Sequence, residues 1–308
     1  MMEDIFFSIV MPVYNKEKYI KTTIDSILNQ SYSKFELIIV NDQSTDGSLD
    51  IIQSYKDERI VLINKINGGS SSARNLGIIN SKNKYIAFID ADDYWYSDFL
   101  ETMKNLIVKF STYKVFGCCY LHEQICEIIP ERNTKGVKEF IIEDYFKFIL
   151  EGKQALTAST AVVERSVFAE VGLFPNDIKN WEDLDMWGRI ACKYKIVHTT
   201  KICAIYNDVI NSASKNYTYC HIPLFDNYNF YLDHSSLSED EKESFYNYVA
   251  FMRLNAAYSH YLFNKKKAIL LKEIWKFKNC SMEKKQIASY CIQLLITPSI
   301  FLKIMKKR

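Results

Sequence analysis

The chain has 308 residues, of which 48% are hydrophobic and 25% are charged, and its formal net charge is +2 at pH 7. This composition predicts a globular protein with a substantial core, and the small net charge argues against nucleic acid as a partner. The eight cysteines form no CxxC pair, and no basic segment precedes the first apolar run, so we expect reduced thiols in a cytoplasmic protein without a signal peptide.

Four short apolar runs alternate with helical patterns in the first 95 residues. This order predicts a parallel sheet, in which ligands bind beyond the carboxyl ends of the strands. Those ends carry polar groups, among them Asn41-Asp42 and Asp90-Ala91-Asp92-Asp93. The runs cover 5–11, 35–40, 59–63 and 85–89, and the helices are predicted over 18–29, 48–55 and 70–80.

The second part of the chain is less regular. Helices are predicted over 99–110, 138–150, 165–171 and 185–194, two strands within 113–129, and single strands over 157–163 and 202–206. Beyond about residue 225 the pattern changes to long charged helices, with a break at 233–238 and another near Asn279. We therefore expect one α/β domain over 1–225, with two halves at 1–95 and 96–225, followed by a helical region over 226–308.

Three carboxylates follow the fourth apolar run, in the segment YIAFIDADDYWY. So much negative charge at the end of a buried strand requires a cation nearby. Asp90 and Asp92 point to the same side of an extended segment, so one can hold a ribose hydroxyl while the other ligates Mg²⁺ or Mn²⁺. A DxD triplet alone is weak evidence, and its position after a fourth parallel strand gives it weight.

Two further residues of this half have the chemistry to bind a nucleotide. Asp42 follows the run LIIV and can accept hydrogen bonds from a nucleobase or ribose, or it can cap the next helix. Arg74, in NGGSSSARNLG, lies on a helix that begins after two glycines, where an anion such as a diphosphate is favoured. A solvated or ion-paired role is the commoner one for an arginine on a helix.

The segment WEDLDMW places three carboxylates between Trp181 and Trp187. One of these acids can serve as a general base, and the tryptophans can stack on a sugar or exclude water. The alternative is an acidic first helical turn that complements the helix dipole. That alternative accounts for Asp185 better than it accounts for the tryptophans.

Five segments of the chain, in their order, resemble motifs of the family 2 glycosyltransferases; they are SIVMPVYNKEKYI, FELIIVNDQSTDGS, NGGSSSARNLGI, YIAFIDADDYW and NWEDLDMWGRI. That family has the GT-A fold, a Rossmann-like sheet flanked by helices. The resemblance covers about residues 5–215. It implies inverting, metal-dependent transfer of a hexosyl or N-acetylhexosaminyl group from a nucleotide-sugar donor, most commonly a UDP-sugar. The acceptor would be a hydroxyl of a cell-surface polysaccharide or a lipid-linked oligosaccharide.

The resemblance also assigns donor-binding roles. It places Pro12 and Tyr14 beside the base, with Asp42 accepting from a base N–H, and it places Arg74 near the base or the diphosphate. Asp90 would approach the ribose. Asp92 would ligate Mn²⁺ or Mg²⁺.

On the acceptor side, the resemblance assigns Asp183 as the base that deprotonates the acceptor, with Glu182 supporting it or binding the acceptor. Trp181 and Trp187 are then expected to line the acceptor pocket. Many members of the family carry a YRxHxxSxS-like segment whose His can ligate the metal, whereas this chain reads YNDVINSAS from Tyr206. Asn207 replaces the Arg and Val209 replaces the His, so the metal would rest mainly on Asp92, diphosphate and water unless Asp208 substitutes.

This departure keeps a second hypothesis open, a catalytically lapsed subunit that binds the nucleotide-sugar without turning it over. A nucleotidyltransferase is less favoured because no Gly-rich basic loop follows the first strand, and a dehydrogenase because no GxGxxG does. The segment 287–308 is largely apolar, contains Pro298 and ends in four basic residues. It predicts either a helix on a membrane surface or a helix packed on the protein's own core, and homo-oligomerisation remains open.

Overall fold

The computed structural model describes residues 4–123, 129–132, 135–178, 180–207, 221–264 and 267–276. The strands in this part are β1 Phe7–Val13, β2 Phe35–Asn41, β3 Ile60–Asn64, β4 Tyr85–Phe88, β5 Tyr94–Trp95, β6 Val115–Glu123, β7 Glu139–Ile142, β8 Val162–Glu164 and β9 Ile196–Asn207. The helices are α1 Ile20–Leu28, α2 Ser48–Ser54, α3 Gly69–Asn80, α4 Phe99–Lys109, α5 Tyr145–Leu150, α6 Val167–Val171, α7 Glu182–Ala191, α8 Pro223–Asp226, α9 Tyr228–Asp233, α10 Glu239–Asn264 and α11 Lys267–Lys276.

The described strands form one sheet in the order β3-β2-β1-β4-β8-β6-β9-β5, with β7 paired to β9. The first four strands in this order are parallel, β8 runs antiparallel between β4 and β6, and β6 and β9 are parallel. All of β1 except Pro12 is buried, because helices cover both faces of the sheet. The α/β class and the parallel first half are confirmed, and the second half is mixed.

In the first half the predicted elements agree with the structure to within about two residues at each end. One difference concerns Pro12, which was expected to end the first strand and instead lies inside β1, paired with Val40 of β2. On the other side of β1, the pairing with β4 already stops at Val10. Proline is tolerated at this position because β1 has only one partner strand there.

The second half contains the incorrect assignments. The helix predicted over 138–150 is wrong in its first part, where Glu139–Ile142 forms β7 against β9 and Asp144 then caps α5 by accepting from the Lys147 backbone N–H at 2.9 Å. The strand predicted over 157–163 is reduced to β8. Of the two strands expected within 113–129, one is β6, which reaches Glu123, and the other stays a prediction because 124–128 lie outside the described residues. In each case a partner distant in sequence decides the conformation.

Two elements differ in their bounds. Helix α7 begins at Glu182 and ends at Ala191, three residues earlier at each end than predicted, so the acidic pair belongs to its first turn. Strand β9 begins at Ile196 and not at Ile202, because its first residues pair with β7 and β6. The helical character beyond residue 225 and the break at 233–238 are confirmed, whereas the break near Asn279 lies outside the described residues.

Two large apolar clusters cover the two faces of the sheet. One joins β1, β2 and β4 to α1 and α4. The other joins Phe88 of β4 to Trp187 of α7 and continues into Phe245 and Tyr248 of α10. The C-terminal helices therefore share the core of the sheet and do not pack only on each other. Within the described ranges, no helix is both long enough and apolar enough to cross a membrane.

Candidate active site

The three carboxylates after β4 have different surroundings. Asp90 is half-buried, and its backbone N–H donates to Ser159 Oγ at 3.0 Å. Asp92 is nearly buried and forms an ion pair with Lys16, which comes from the loop after β1. Burial raises the pKa of Asp92 more than the Lys16 ammonium lowers it.

Asp93 is the most deeply buried of the three carboxylates. It accepts hydrogen bonds from the Ser159 hydroxyl and, at 2.9 Å, from the backbone N–H of Asn207 at the end of β9. Burial and the charges of Asp90 and Asp92 raise the pKa of Asp93 well above its ordinary value. These bonds fix the acidic loop to β9, and they make Asp93 a structural residue with no surface for a ligand.

Arg74 joins the two acidic motifs. Its guanidinium is buried and donates to Asp90 at 2.7 Å and to Glu182 Oε1 at 2.9 Å, and Glu182 also accepts from the Ser70 hydroxyl at 2.6 Å. Burial lowers the pKa of Arg74, but the carboxylates of Asp90 and Glu182 outweigh it, so the net pKa is raised and the arginine stays charged. The acidic loop after β4 and the first turn of α7 are therefore held side by side.

Asp183 lies next to Glu182 in the first turn of α7 and is partly exposed. One of its oxygens accepts from the Leu184 backbone N–H at 2.9 Å. Burial and the neighbouring charge of Glu182 raise the pKa of Asp183 to about 6, against the lowering effect of Arg74. A carboxylate with a pKa near neutrality is suited to take up a proton from a hydroxyl group.

Asp42 follows the last residue of β2, and its side chain binds the loop after β3. Its carboxylate accepts from the backbone N–H groups of Gly68 and Gly69 at 2.9 and 2.8 Å and from Lys65 Nζ at 2.5 Å. The capping alternative is therefore part of its role, although the helix that it caps is α3 and not α2. Asp42 Oδ2 carries only one of these bonds, but just 3% of the side chain is exposed, so a ligand N–H would reach this oxygen only if the loop that carries Lys65 moved.

The remaining expected donor residues surround Asp42. Pro12 is half-buried within β1, and Tyr14, just beyond the end of that strand, is 48% exposed. Their strand pairs with β2, which leads into Asp42, so Tyr14 and Asp42 lie at the ends of neighbouring strands. This end of the sheet presents an exposed aromatic ring beside a carboxylate.

The two tryptophans of WEDLDMW differ. Trp187 has no exposed surface and packs against Phe88 and Phe174 at ring-centroid distances of 6.1 and 5.9 Å, so it belongs to the core and presents no face to an acceptor. Trp181 is partly exposed and has φ of 69°. Left-handed backbone is rare for so bulky a residue, and it turns the chain into α7.

The described non-glycine residues with positive φ are Asn15, Gln43 and Trp181, and each lies in a loop that borders the site. Asn15 follows Tyr14, and its side chain accepts from the Thr45 backbone N–H at 2.8 Å. Gln43 follows Asp42 and accepts from the Asn67 backbone N–H at 3.1 Å. Strained backbone at the ends of β1, β2 and the entry to α7 sets the shape of this sheet edge.

The oxygen donors suit a hard divalent cation. Asp90 and Asp92 are carboxylates at the rim, and Mg²⁺ and Mn²⁺ favour such ligands together with phosphate oxygens and water. Among the described residues, no three His, Cys, Asp or Glu side chains gather as a complete metal cluster. Both carboxylates already have a cationic partner, Arg74 for Asp90 and Lys16 for Asp92, so a metal would share Asp92 with Lys16 and would need the rest of its ligands from a bound nucleotide and water. Val209 and Asp208 lie outside the described residues.

Several contacts at the site were not expected from the sequence. Lys16 on Asp92, Ser159 under the acidic loop and Ser70 on Glu182 each contact a motif residue. The only sequence signal for Lys16 is its place directly after PVYN. Ser159 has none, because it lies in a loop that was assigned to a strand.

The carboxylates at the ends of β2 and β4, with the buried arginine of α3 that joins the acidic loop to α7, agree with the GT-A class of transferase that the sequence resembles. Residues 8–172 match the family model of glycosyl transferase family 2, and the chain belongs to that family.

Relatives in bacteria carry related names. A Bacillus subtilis protein named as a teichuronic acid biosynthesis glycosyltransferase, TuaG, is 32% identical over 213 residues, which are 68% of this chain and 81% of that protein. An uncharacterized glycosyltransferase of Rickettsia prowazekii is 32% identical over 187 residues, covering 58% of this chain and 57% of the relative. The pneumococcal glycosyltransferase GlyA is 38% identical over 39% of this chain but only 18% of its own length. The matched part of this chain thus corresponds to little more than half of the Rickettsia protein and to a small part of GlyA.

Solved structures share the fold. S. aureus TarS 1–349 in complex with UDP-GlcNAc superposes with a TM-score of 0.68 at 20% identity, over 91% of this chain and 82% of TarS 1–349. The mannosyltransferase PcManGT of Pyrobaculum calidifontis, in complex with GDP-Man and Mn²⁺, gives a TM-score of 0.62 at 15% identity, over 99% and 85% of the two chains.

Proposed function

We propose that this glycosyltransferase transfers a sugar from a nucleotide-sugar donor to an acceptor hydroxyl by a single, inverting displacement in which Asp183 is the base. The observation that carries the proposal is the Arg74 bridge. It joins Asp90 of the donor side to Glu182, the residue next to Asp183. One buried guanidinium thereby holds together the groups that would meet the ribose and the acceptor.

The donor end is assigned to the edge formed by β1, β2 and β4. Tyr14 offers a ring face to the base, Asp42 an acceptor for its N–H, and Asp90 an acceptor for the ribose. Asp92 would hold Mg²⁺ or Mn²⁺, which would supply charge stabilisation to the leaving diphosphate. Relatives of the same fold are seen with UDP-GlcNAc and with GDP-Man and Mn²⁺, and a UDP-sugar is our proposed donor.

The chemistry balances with one base. The acceptor oxygen forms a bond to the anomeric carbon while the bond from that carbon to the diphosphate oxygen breaks, and the nucleoside diphosphate leaves with the bonding electrons. The hydroxyl proton passes to Asp183. A single displacement inverts the configuration, so no carboxylate nucleophile is required on the opposite face of the sugar.

The proposed setting is the synthesis of a cell-surface polysaccharide or of a lipid-linked oligosaccharide. The name of TuaG supports a polymer of the bacterial surface as the product class. Such acceptors are assembled at the cytoplasmic face of the membrane, and we propose that segment 287–308, which lies outside the described residues, holds the protein there.

The decisive experiment replaces Asp183 by Asn. We expect transfer to fall by at least about 100-fold, because general-base catalysis contributes roughly that much or more, while the affinity for UDP with Mn²⁺ changes less than about twofold. Transfer is measured by release of UDP from a panel of UDP-sugars in the presence of acceptor, and binding by calorimetry.

Asp240→Asn is the matched control, since Asp240 also lies in the first turn of a helix but is exposed on α10. It should leave both quantities unchanged. If Asp183→Asn weakens UDP binding as much as it weakens transfer, the assignment of the base is wrong. If the unaltered protein binds UDP yet turns over no donor, the protein is a lapsed binding subunit.

A further inference from the structure

Three aromatic side chains gather at the carboxyl ends of β6 and β9. The ring of Tyr206 lies 6.2 Å from that of Tyr120 and 5.3 Å from that of His122, with which it is stacked at 28°. His122 is exposed, and both tyrosines are partly exposed. We call these three residues the aromatic platform. Tyr206 begins the segment YNDVINSAS, but no motif in the sequence pointed to Tyr120 or His122, because the two strands that bring these residues together pair across more than 80 positions.

The platform lies at the same edge of the sheet as the acidic residues. His122 pairs with Tyr206 in the register of the two parallel strands, and the residue after Tyr206, Asn207, donates its backbone N–H to Asp93 at 2.9 Å. After burial, which is the largest cause, the charges of Asp183 and Asp93 raise the pKa of the Tyr120 hydroxyl. Asp93 shares Ser159 with Asp90, and Arg74 joins Asp90 to Glu182, the neighbour of Asp183. A chain of hydrogen bonds therefore connects β9, which carries Tyr206, to the acidic loop and to the first turn of α7.

The position of the platform separates it from the donor end. In the sheet, β6 is three strands from β1, with β4 and β8 between them. At about 4.8 Å per strand this is a distance of about 14 Å, on the far side of the loop that carries Asp90 and Asp92. A nucleotide whose base lies at Tyr14 and whose phosphates lie at the acidic loop does not occupy the platform.

We propose that Tyr120, His122 and Tyr206 form an acceptor subsite that stacks on the face of a pyranose and turns one of its hydroxyls toward Asp183. This inference deepens the proposed function and rests on it. The C–H face of a pyranose is apolar and its rim is polar, which suits rings that have an apolar body and a polar tip. The acceptor class is then a saccharide end, in preference to a lipid alcohol or a lipid phosphate.

The test uses the full chain with saturating UDP and Mn²⁺ and observes added ligands by saturation-transfer NMR. The probes are the methyl pyranosides of glucose, galactose, mannose and N-acetylglucosamine, with octyl phosphate as a lipid-like probe. We expect at least one pyranoside to bind through its ring C–H protons. In the Tyr120→Ala variant the Kd of that pyranoside should rise by about five- to tenfold, a change that corresponds to the loss of one aromatic contact. The Tyr120→Phe variant should keep most of the affinity.

Tyr113→Ala is the matched control. Tyr113 is a partly buried aromatic residue that precedes the amino end of the same strand and packs on Phe110. The inference is overturned if no pyranoside binds, if only octyl phosphate binds, or if Tyr120→Ala leaves the Kd unchanged. It is equally overturned if Tyr113→Ala raises the Kd as much as Tyr120→Ala does.

Failure of the proposed function has a different signature. Release of UDP from a UDP-sugar by the unaltered protein, with transfer either to a bound pyranoside or to water, tests the function separately from pyranoside binding. Pyranoside binding that depends on Tyr120, in a protein that cleaves no donor, would refute the function and keep the saccharide subsite. Donor cleavage without pyranoside binding would refute the subsite alone.

Discussion

At the scale of single residues, Arg74 determines more of the site than its sequence context indicated. An arginine on the first turns of a helix after two glycines was expected either to meet a diphosphate or to be solvated or ion-paired. In the structure both ends of its guanidinium are engaged by carboxylates, Asp90 and Glu182, and the side chain is buried. A buried cation between two acids holds two motifs in place, and its removal leaves those acids facing each other.

Replacing Arg74 by Met should therefore destabilise the fold. We expect the free energy of unfolding to fall by about 3–5 kcal/mol, the usual result of removing one partner from a buried ion pair. Arg74→Lys should lose less, since it keeps the charge but not the two-pronged geometry. Urea denaturation followed by circular dichroism measures these changes.

Lys21→Met serves as the comparison, because Lys21 pairs with Asp25 on the exposed face of α1. Its loss should stay below about 0.5 kcal/mol. Equal losses for the two variants would mean that the Arg74 bridge contributes nothing beyond an ordinary surface pair.

The pKa of Asp183 sets the expected pH dependence of transfer. A base acts in its ionised form, and the pKa of this carboxyl is raised to about 6. We expect the logarithm of kcat/KM to be level above pH 7 and to fall by one for each pH unit below about 6. The measurement is UDP release with acceptor between pH 5 and 8, and UDP affinity over the same range shows whether donor binding is retained. A rate that is constant down to pH 5 would exclude Asp183 as the base.

At the scale of elements, the packing of α3 on β1 positions the Arg74 helix. Gly77 faces the sheet, and a Cβ at this position would lie 2.3 Å from Val10 Cγ1. Glycine is required there because helix and strand approach so closely. The same helix carries Ser70 and Arg74 to Glu182, so a shift of α3 would move the bridge.

Gly77→Ala should lower the free energy of unfolding by about 1–3 kcal/mol through overpacking, in spite of the better helix propensity of alanine. Val10→Ala opens space at the same contact. The double variant should therefore lose less free energy of unfolding than the two single variants lose together, and the difference should exceed about 1 kcal/mol. Strictly additive losses, measured by urea denaturation, would place the strain elsewhere.

The elements that the sequence predicted well are those defined by their own residues. The strands β1, β2 and β4 are buried on both faces, and their continuous apolar runs are visible in the sequence. The residues Glu139–Ile142 have helical spacing, yet they form β7 because Ile196–Thr199 offers an edge to pair with. Likewise β8 is a strand of only three residues between β4 and β6; the local pattern indicated a strand over 157–163 but not where it begins and ends.

The site residues also divide into features that the local sequence predicts and features that depend on distant contacts. The family motifs marked Asp42, Arg74, Asp90, Asp92 and Asp183 as residues of interest. Their mutual contacts were not visible, since Lys16 and Asp92 are 76 positions apart and Arg74 and Glu182 are 108 apart. The family resemblance identifies the chemical groups, and only the tertiary structure shows which of them share a partner.

At the scale of the whole molecule, the C-terminal helices are joined to α7, the helix that carries Glu182 and Asp183. Asp185 of α7 accepts from the Leu224 backbone N–H at 2.8 Å, and it also pairs with Arg189. Arg253 of α10 binds both oxygens of Glu273 of α11, each at 2.7 Å. With Phe245 and Tyr248 in the same cluster as Trp187, the described helices beyond residue 225 complete the apolar core behind α7.

Two truncations separate the roles of the C-terminal region. A chain ending at residue 233 loses α10 and α11, so we expect it to expose the core cluster, to show no cooperative thermal transition and to aggregate. A chain ending at residue 286 should keep the transition of the full chain within a few degrees and should lose its association with anionic vesicles, as expected for an interfacial tail. Vesicle binding that survives this deletion would support a tail packed on the protein.

The left-handed residues Asn15, Gln43 and Trp181 limit how far this protein can be stabilised without loss of function. Each holds a loop of the site in a conformation that its residue type disfavours by about 1–3 kcal/mol, and the surrounding contacts supply that free energy. Glycine would relieve the strain at any of the three, so a search for thermostable variants would select it. The gain would come with looser loops around Tyr14, Asp42 and Asp183. Stability and turnover are therefore expected to trade against each other at these three positions, whereas elsewhere they can be improved together.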